Sequence, residues 1–264
     1  MKKGFHELLI RKDVQQVYST GSAFAAVKGD GSVTIWGYRG TYGDCYHDEQ
    51  QLKRGVQRIY STSNAFAAVK DDGSVLTWGS ASHGGDSSAV REQLREGVKQ
   101  IFSTGSAFAA LKGDGSVTSW GNPAAGGDCG PESDAVLFSL LRGGVKHIYS
   151  NFWAFAAVKD DGSVVTWGSP EKGGDSRAVQ GQLRDVQHIY STREAFAAVK
   201  LDGTVVTWGM YNVGGDSSTK REQLQEVEQI YSTSRAFAAV RYDGKVVTWG
   251  SRLVGDVDLA DVVL

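Results

Sequence analysis

Six aspartates recur at one position of a repeated pattern, and they are the first residues in the sequence with types and spacing suited to chemistry. They are Asp44, Asp86, Asp128, Asp175, Asp216 and Asp256. A ring of carboxylates around an axis could hold a cation. Asp beside glycine is also typical of turns and helix caps, where the carboxylate accepts backbone N–H groups. Because the residue occurs in every copy, we interpret these aspartates as features of the fold and expect no metal.

The histidines and cysteines suggest no catalytic constellation. His147 and His188 occupy equivalent positions in neighbouring copies, where other copies carry Gln or Arg, which indicates a solvated surface. Cys45 and Cys129 lie two copies apart, too far for the Cα separation of a disulfide, so free thiols are expected. The metalloprotease, nucleophile-elbow and phosphate-loop motifs do not occur. The sequence therefore predicts no catalytic residue, no cofactor and no enzyme activity.

A sequence unit that occurs six times carries these residues. Each copy contains a Trp-Gly pair, and the pairs follow one another at intervals of 41 to 47 residues. A period of this size is typical of repeat architectures. The tryptophans are Trp36, Trp78, Trp120, Trp167, Trp208 and Trp249.

Each unit is predicted to form three antiparallel strands. In the second copy these are "VQRIYST" (Val56–Thr62), "AFAAVK" (Ala65–Lys70) and "SVLTWG" (Ser74–Gly79), all rich in β-branched, aromatic or small apolar residues. Asp72-Gly73 joins the last two strands and is a strong hairpin signal. The connector "SSAVREQLRE" that follows is expected to form a short helical turn or a short fourth strand.

Sheets that are apolar on both faces must stack on one another. Stacking in a ring gives a β-propeller, whereas a linear solenoid requires polar caps at its ends. The first residues, "FHELLIRKDV" (Phe5–Val14), resemble part of a connector, and "VGDVDL" (Val254–Leu259) resembles the other part. We therefore predict an all-β, closed propeller of six mainly three-stranded blades with short helical connectors, forming one domain over residues 1–264, with adjacent termini.

The amino-acid composition limits the kinds of partner that the protein is expected to bind. The 28 basic and 30 acidic residues nearly balance, which argues against nucleic acid. The sequence has no apolar run long enough for a membrane span and no recognisable signal peptide. We expect a cytoplasmic monomer, with delivery into another cell left open.

The repeat resembles that of the regulator of chromosome condensation family. The pattern V-x-x-I, then A-x-A-x-K-x-D-G-x-V-x-x-W-G and a glycine-rich turn carries the resemblance over nearly the whole chain. The short period is more similar to the propeller-type β-lactamase inhibitor proteins, whose blades have three strands. The family's histidine before the A-x-A strand is replaced, and Gly-Gly-Asp stands where the family tends to have Gly-Gln-Leu-Gly. The resemblance therefore implies a propeller fold and a binding habit, and no exchange-factor residue.

Function is predicted to reside in two variable segments of each unit. One is the residue pair before Ala-Phe, and the other is the four residues after Trp-Gly. Antiparallel connectivity places both at one end of the ring and the Asp-Gly tips, with their solvated basic neighbours, at the other. Variable loops on a rigid scaffold are typical of recognition, and aromatic and arginine side chains dominate binding hot spots. The predicted binding-face residues are Tyr38, Arg39, Tyr42, His83, Phe152, Trp153, Arg193, Glu194, Tyr211, Asn212, Arg235 and Arg252.

Several alternatives remain open at this stage. Phe152 and Trp153 are either binding anchors or residues packed under the longer connector Gly130–Gly144. The leading prediction is a non-enzymatic propeller that binds another protein. A glycan-binding propeller, with tyrosines such as Tyr211 stacking on sugar rings, is the alternative. A hydrolase is a third and weaker one, because no converging titratable groups are visible.

Overall fold

The computed structural model describes residues 13–37, 51–130, 132 and 134–251. These residues form eighteen strands in six separate three-stranded sheets, one for each sequence unit. The strands are β1 (Val14–Ser19), β2 (Ala23–Lys28), β3 (Val33–Gly37), β4 (Val56–Ser61), β5 (Ala65–Lys70), β6 (Val75–Gly79), β7 (Val98–Ser103), β8 (Ala107–Lys112), β9 (Val117–Gly121), β10 (Val145–Ser150), β11 (Ala154–Lys159), β12 (Val164–Gly168), β13 (Val186–Ser191), β14 (Ala195–Lys200), β15 (Val205–Gly209), β16 (Val227–Ser232), β17 (Ala236–Arg241) and β18 (Val246–Gly250).

Each sheet is an antiparallel meander, as the sequence predicts. In the second blade, Ile59 of β4 pairs with Ala68 of β5, and Phe66 of β5 pairs with Trp78 of β6. The β5–β6 turn is closed by the hydrogen bond from the Gly73 N–H to the Lys70 carbonyl at 2.9 Å. Gly73 has φ +75, which the Asp-Gly hairpin requires and which a side chain would disfavour.

The connectors are helical, which settles the choice that the sequence leaves open. One α-helix, α1 (Ala135–Leu140), lies in the longer connector, and Asp134 caps it by accepting from the N–H groups of Val136 and Leu137. The other described helical segments are single 3₁₀ turns, and no fourth strand is found in the described connectors. These turns are Gln51–Lys53, Ala81–His83, Ser88–Val90, Pro123–Ala125, Pro170–Lys172, Gln180–Gln182, Tyr211–Val213 and Ser218–Lys220.

The hydrophobic core lies between consecutive blades. Ala23 and Ala25 of the first blade pack against Phe66 and Trp78 of the second, and a connector leucine, Leu52, closes the cluster. The alanines are almost completely buried, and their small side chains let the two sheets approach closely. The same arrangement recurs at the next four interfaces.

Two series of backbone hydrogen bonds join each blade to the next. At one end, the Gly21 N–H donates to the Ser63 carbonyl, and the equivalent bond is present at all five consecutive interfaces. At the other end, the Val56 N–H donates to the Gly31 carbonyl, again at all five. The first strands of consecutive blades contact one another, and a single cavity is lined by residues of all six blades. The blades are therefore arranged around an axis, which confirms the six-bladed propeller and excludes a linear stack.

The junction between the sixth blade and the first differs from the other five. Within the described residues, neither hydrogen-bond series continues from the sixth blade to the first. Phe24 and Val17 of the first blade are 44% and 52% exposed, whereas the equivalent Phe66 and Ile59 of the second are each 1% exposed. We call this junction the seam. The predicted adjacency of the termini concerns residues 1–12 and 252–264, which lie outside the described part of the chain.

Candidate interaction face

In the second to sixth blades, the two variable segments are held together at one end of the propeller, which we call the upper end. The backbone N–H of the first residue after Trp-Gly donates to the carbonyl of the second residue of the variable pair. This bond is present from Ser80 to Asn64 at 2.9 Å and from Ser169 to Trp153 at 3.1 Å, and it recurs in the third, fifth and sixth blades. The co-location that alternating strand direction predicts is thus observed.

A second bond in several blades connects the end of the first strand to the 3₁₀ turn after Trp-Gly. Thr62 Oγ1 donates to the carbonyl of His83 at 2.9 Å, and Asn151 Nδ2 donates to that of Lys172 at 2.8 Å. In the second, third and fourth blades, the polar residue after the first strand therefore fixes the outer variable segment against the inner one. The loops are rigidly positioned although their side chains differ from blade to blade.

The upper end surrounds an open axial cavity of about 640 Å³. Serine and threonine residues at the ends of the first strands form most of its wall. The first residue of the variable pair completes the wall in five blades, as Ser63, Gly105, Phe152, Arg193 and Ser234. The sequence pattern predicts the recurring Ser-Thr dipeptide only as the end of a strand. Its position immediately before the variable pair was the signal that could have revealed this hydroxyl-rich wall.

In the second and fourth blades, the side chain of the second residue of the pair contacts the outer turn. Asn64 Nδ2 lies 3.3 Å from His83 Nε2 in the second blade. In the fourth, Lys172 Nζ lies 3.8 Å from the centroid of the Trp153 ring. The same ammonium group makes an ion pair with Glu194 of the fifth blade at 3.3 Å. Lys172 thus connects two predicted site residues, although the sequence did not single it out.

Phe152 and Trp153 consequently have different environments. The Phe152 ring projects over the third blade, where a Cβ added to Gly105 would come within 2.5 Å of its Cζ atom. The Arg193 guanidinium of the fifth blade lies over the Phe152 ring, with its Cζ 4.3 Å from the ring centroid. Trp153 is half-buried and touches Phe152 edge-on. Their described contacts are made with neighbouring loops, whereas the core cluster around Leu141 of the longer connector contains neither ring.

The remaining predicted residues are distributed around the outer part of the upper end. Tyr211 is 73% exposed on its 3₁₀ turn, with Asn212 beside it, and Arg235 is also exposed. His83 is half-buried because its ring contacts Asn64 and two serine hydroxyls. Four predicted residues lie outside the described part of the chain, namely Tyr38, Arg39, Tyr42 and Arg252. A binding role for all twelve stays a prediction.

The recurring aspartates after the Gly turns are turn residues, as interpreted. The carboxylate of Asp86 accepts from the Ser88 N–H at 2.9 Å, and Asp128, Asp175 and Asp216 make the equivalent bond. These bonds lower the pKa of Asp86 and Asp216 below the ordinary value. Asp44 and Asp256 lie outside the described residues. Across the residues that the structure describes, no group of three or more His, Cys, Asp or Glu side chains is arranged to hold a metal ion.

The lower end consists of the Asp-Gly tips. Asp72 accepts from both the N–H and the hydroxyl of Ser74, and these bonds hold the pKa of its carboxyl below the ordinary value. In the fifth and sixth blades, the basic residue beside the tip pairs with the tip aspartate, as in Lys200–Asp202 at 3.3 Å. This matches the solvated, locally neutral rim expected from the sequence. Two tips add exposed apolar side chains, Leu201 and Tyr242.

His147 and His188 lie on the first strands and pack against neighbouring aromatic rings. His188 Nδ1 is 3.1 Å from the Tyr149 hydroxyl of the preceding blade, and His147 makes an edge contact with Phe102. His188 remains exposed, in agreement with the solvated surface expected, whereas His147 is half-buried. Partial burial lowers the pKa of both imidazoles, and for His147 the nearby His188 adds to the effect.

Cys129 is a free, buried thiol whose pKa is raised by burial. Its equivalent, Cys45, lies outside the described residues.

Comparison with known proteins shows the fold. No known family model and no curated protein sequence matches this chain. Among solved structures, Prp20p from Saccharomyces cerevisiae is 17% identical with a TM-score of 0.51, and the match covers 90% of this chain and 72% of that one. Human WBSCR16 is also 17% identical at a TM-score of 0.51, with coverages of 89% and 76%. The chain has an RCC1-like propeller fold.

None of the described helices has the length and apolar character that a bilayer crossing demands.

Proposed function

We propose that this propeller binds another protein through its upper end and catalyses no reaction. One observation carries the proposal. The variable segments converge around the axial cavity on a hydrogen-bonded scaffold, whereas the lower end repeats nearly the same tip in every blade. Divergent side chains on rigid loops are the usual arrangement of a recognition surface. Trp153, Arg193 and Tyr211 there are of the residue types that are enriched in binding hot spots.

The similar structures support a binding role. One is described by its binding to Gsp1p and histones, and another is yeast RCC1 (Prp20) bound to Kap60, with 16% identity and a TM-score of 0.51. Those interactions belong to those proteins. For this chain they support the class of function, protein binding by a propeller. The three-stranded blades add a further resemblance to the propeller-type β-lactamase inhibitor proteins, which we propose as the nearer functional comparison.

Site-specific photo-crosslinking tests the proposal. A photoreactive amino acid is placed at Asn212 on the upper end or at Leu201 on the lower end, both of which are exposed. We expect the Asn212 variant to form one predominant crosslinked protein complex in a lysate, and the Leu201 variant to leave that complex unlabelled. The same complex formed from Leu201 but not from Asn212 would show that the lower end is the binding surface. Purified partner and propeller must then reconstitute the complex.

A further inference from the structure

Among the described residues that line the axial cavity, one carries a formal charge. Its wall consists of serine, threonine, glycine and asparagine residues together with Phe152 and Arg193, and it contains no carboxylate. Arg193 is therefore the only charged residue among the described residues of the wall. A concave site with a single cation and no acid attracts an anionic group and disfavours a second cation.

Arg193 is also available for a ligand. In the described part of the chain, no carboxylate lies within ion-pair distance of its guanidinium, whereas the neighbouring charges Lys172 and Glu194 neutralise each other. The guanidinium Cζ lies 4.3 Å from the centroid of the Phe152 ring, which supports one face of the group. Stacking of this kind leaves the N–H edge free, and two parallel N–H groups match the geometry of a carboxylate.

Hydroxyl groups supply additional donors around Arg193. Ser191 Oγ is committed to the Ser150 carbonyl of the preceding blade at 3.0 Å. By contrast, the hydroxyls of Ser63, Ser150 and Ser234 make no hydrogen bond with any described residue, although all three serines line the cavity. Ser150 and Ser234 belong to the blades on either side of Arg193. The cavity thus offers one cation and several free O–H donors to an anion.

From these features we infer that the axial cavity receives an Asp or Glu side chain that projects from a loop of the partner protein. The inference rests on the proposed function and names the chemistry of the partner at that same surface. The cavity of about 640 Å³ is open to solvent, so it would enclose little of a small free ligand. A protein loop gains its remaining affinity from the surrounding variable segments. The carboxylate then provides specificity at the centre of the interface.

An NMR titration with two capped peptides tests the inference. The probe is the pentapeptide Gly-Ser-Glu-Ser-Gly with blocked ends, and its control has Gln in place of Glu. We expect the Glu peptide to bind weakly, with backbone amide shifts concentrated at residues 150–152, 191–193 and 233–234. The Gln peptide should bind at least about tenfold more weakly, because a hydrogen-bonded charge contributes roughly 1.5–3 kcal/mol. Equal shifts from both peptides, or shifts distributed over the whole surface, would overturn the inference.

The variants Arg193→Gln and Arg235→Gln form a matched pair. Both remove one positive charge from the upper end, but only Arg193 lines the cavity. We expect Arg193→Gln to reduce affinity for the Glu peptide about tenfold and Arg235→Gln to change it less than about twofold. Equal losses would indicate a diffuse field and contradict a defined carboxylate site. Free glutarate serves as a third ligand, and binding as tight as that of the peptide would indicate a small-molecule site instead.

Binding of the two variants to the partner protein distinguishes this inference from the proposed function. If Phe152→Ala weakens the complex and Arg193→Gln leaves it unchanged, a protein still binds the upper end but no carboxylate enters the cavity. If neither variant has an effect, both proposals are wrong. Variants are compared after their thermal unfolding midpoints have been shown to match that of the original chain.

Discussion

The two ends of the propeller are built from the same strands but tolerate change very differently. At the upper end, the bonds that join the two variable segments of a blade run between backbone atoms, such as the Ser169 N–H and the Trp153 carbonyl, so the variable side chains are free to differ. At the lower end, the tip glycines of the first five blades leave no room for a side chain beside the backbone of the next blade. A Cβ added to Gly203 would lie 3.0 Å from the Glu226 Cα. Variation is therefore permitted in the upper loops, whose two segments are joined through backbone atoms, and restricted at the lower tips, where a side chain on the glycine would crowd the next blade.

The largest expected effect is a loss of stability at a lower tip. Gly203 has φ +76 and contacts the next blade, so Gly203→Ala combines an unfavourable backbone conformation with a steric clash. We expect a loss of about 2–3 kcal/mol in the free energy of unfolding, measured by urea denaturation.

Gly244→Ala is the matched control for this change. Gly244 has φ +81, but an added Cβ would meet nothing within 4 Å, because the sixth tip lies at the seam. The expected loss is about 1–2 kcal/mol, from backbone conformation alone. Equal losses for the two alanine variants would show that the sixth blade packs against the first as the other blades pack against one another.

The next effect concerns partner affinity at the upper end. Phe152→Ala removes the aromatic wall of the axial cavity and the support of Arg193, so we expect affinity to fall by about 2 kcal/mol, roughly thirtyfold. Titration calorimetry with the purified partner that crosslinking identifies measures this loss of affinity. Tyr242→Ala at the lower end removes a comparable exposed ring and should change affinity by less than about 0.5 kcal/mol. The opposite ranking would assign binding to the lower end.

Trp153→Ala sharpens the comparison within the upper end. Because the Trp153 ring is half-buried and supports Lys172, we expect its truncation to lower both stability and affinity by about 1 kcal/mol each. Paired thermal and binding measurements on this variant distinguish the two interpretations of the residue. A fall in the melting temperature with unchanged affinity identifies packing, and a large loss of affinity at constant melting temperature identifies an anchor.

The smallest expected effect is a pH dependence from the first strands. Partial burial lowers the pKa of His147 and His188 in the folded protein below the ordinary value of 6.5. The unfolded chain then binds protons more readily, so stability is complete above about pH 6.5 and decreases as the pH falls below it. Replacing both residues with Gln, which three other blades carry, should flatten the stability profile between about pH 7 and 5. An unchanged slope would assign the pH dependence to other groups.

Much of the fold was predictable because each blade is specified locally. The Asp-Gly dipeptides, such as Asp72-Gly73, fix the hairpins, and the apolar strands on either side fix the faces that must be buried. The aspartates near the Gly turns were also interpretable, since a residue in every copy is most simply a structural one. The site was only partly predictable. The end of the ring followed from connectivity, but the wall of the cavity depends on which residue of each variable pair faces the axis.

The sequence by itself determined the six units, their three antiparallel strands and the end at which variation collects, because all of these follow from patterns within about forty residues. Only the tertiary structure decided that Phe152 faces the axis and Trp153 faces outward. Phe152 packs over Gly105 of the third blade, and Trp153 packs against Lys172 of its own blade's outer turn, so both orientations depend on residues distant in the sequence. It also decided the seam. How closely the sixth blade approaches the first depends on the combined curvature of five blade interfaces, which the sequence of a single repeat does not determine.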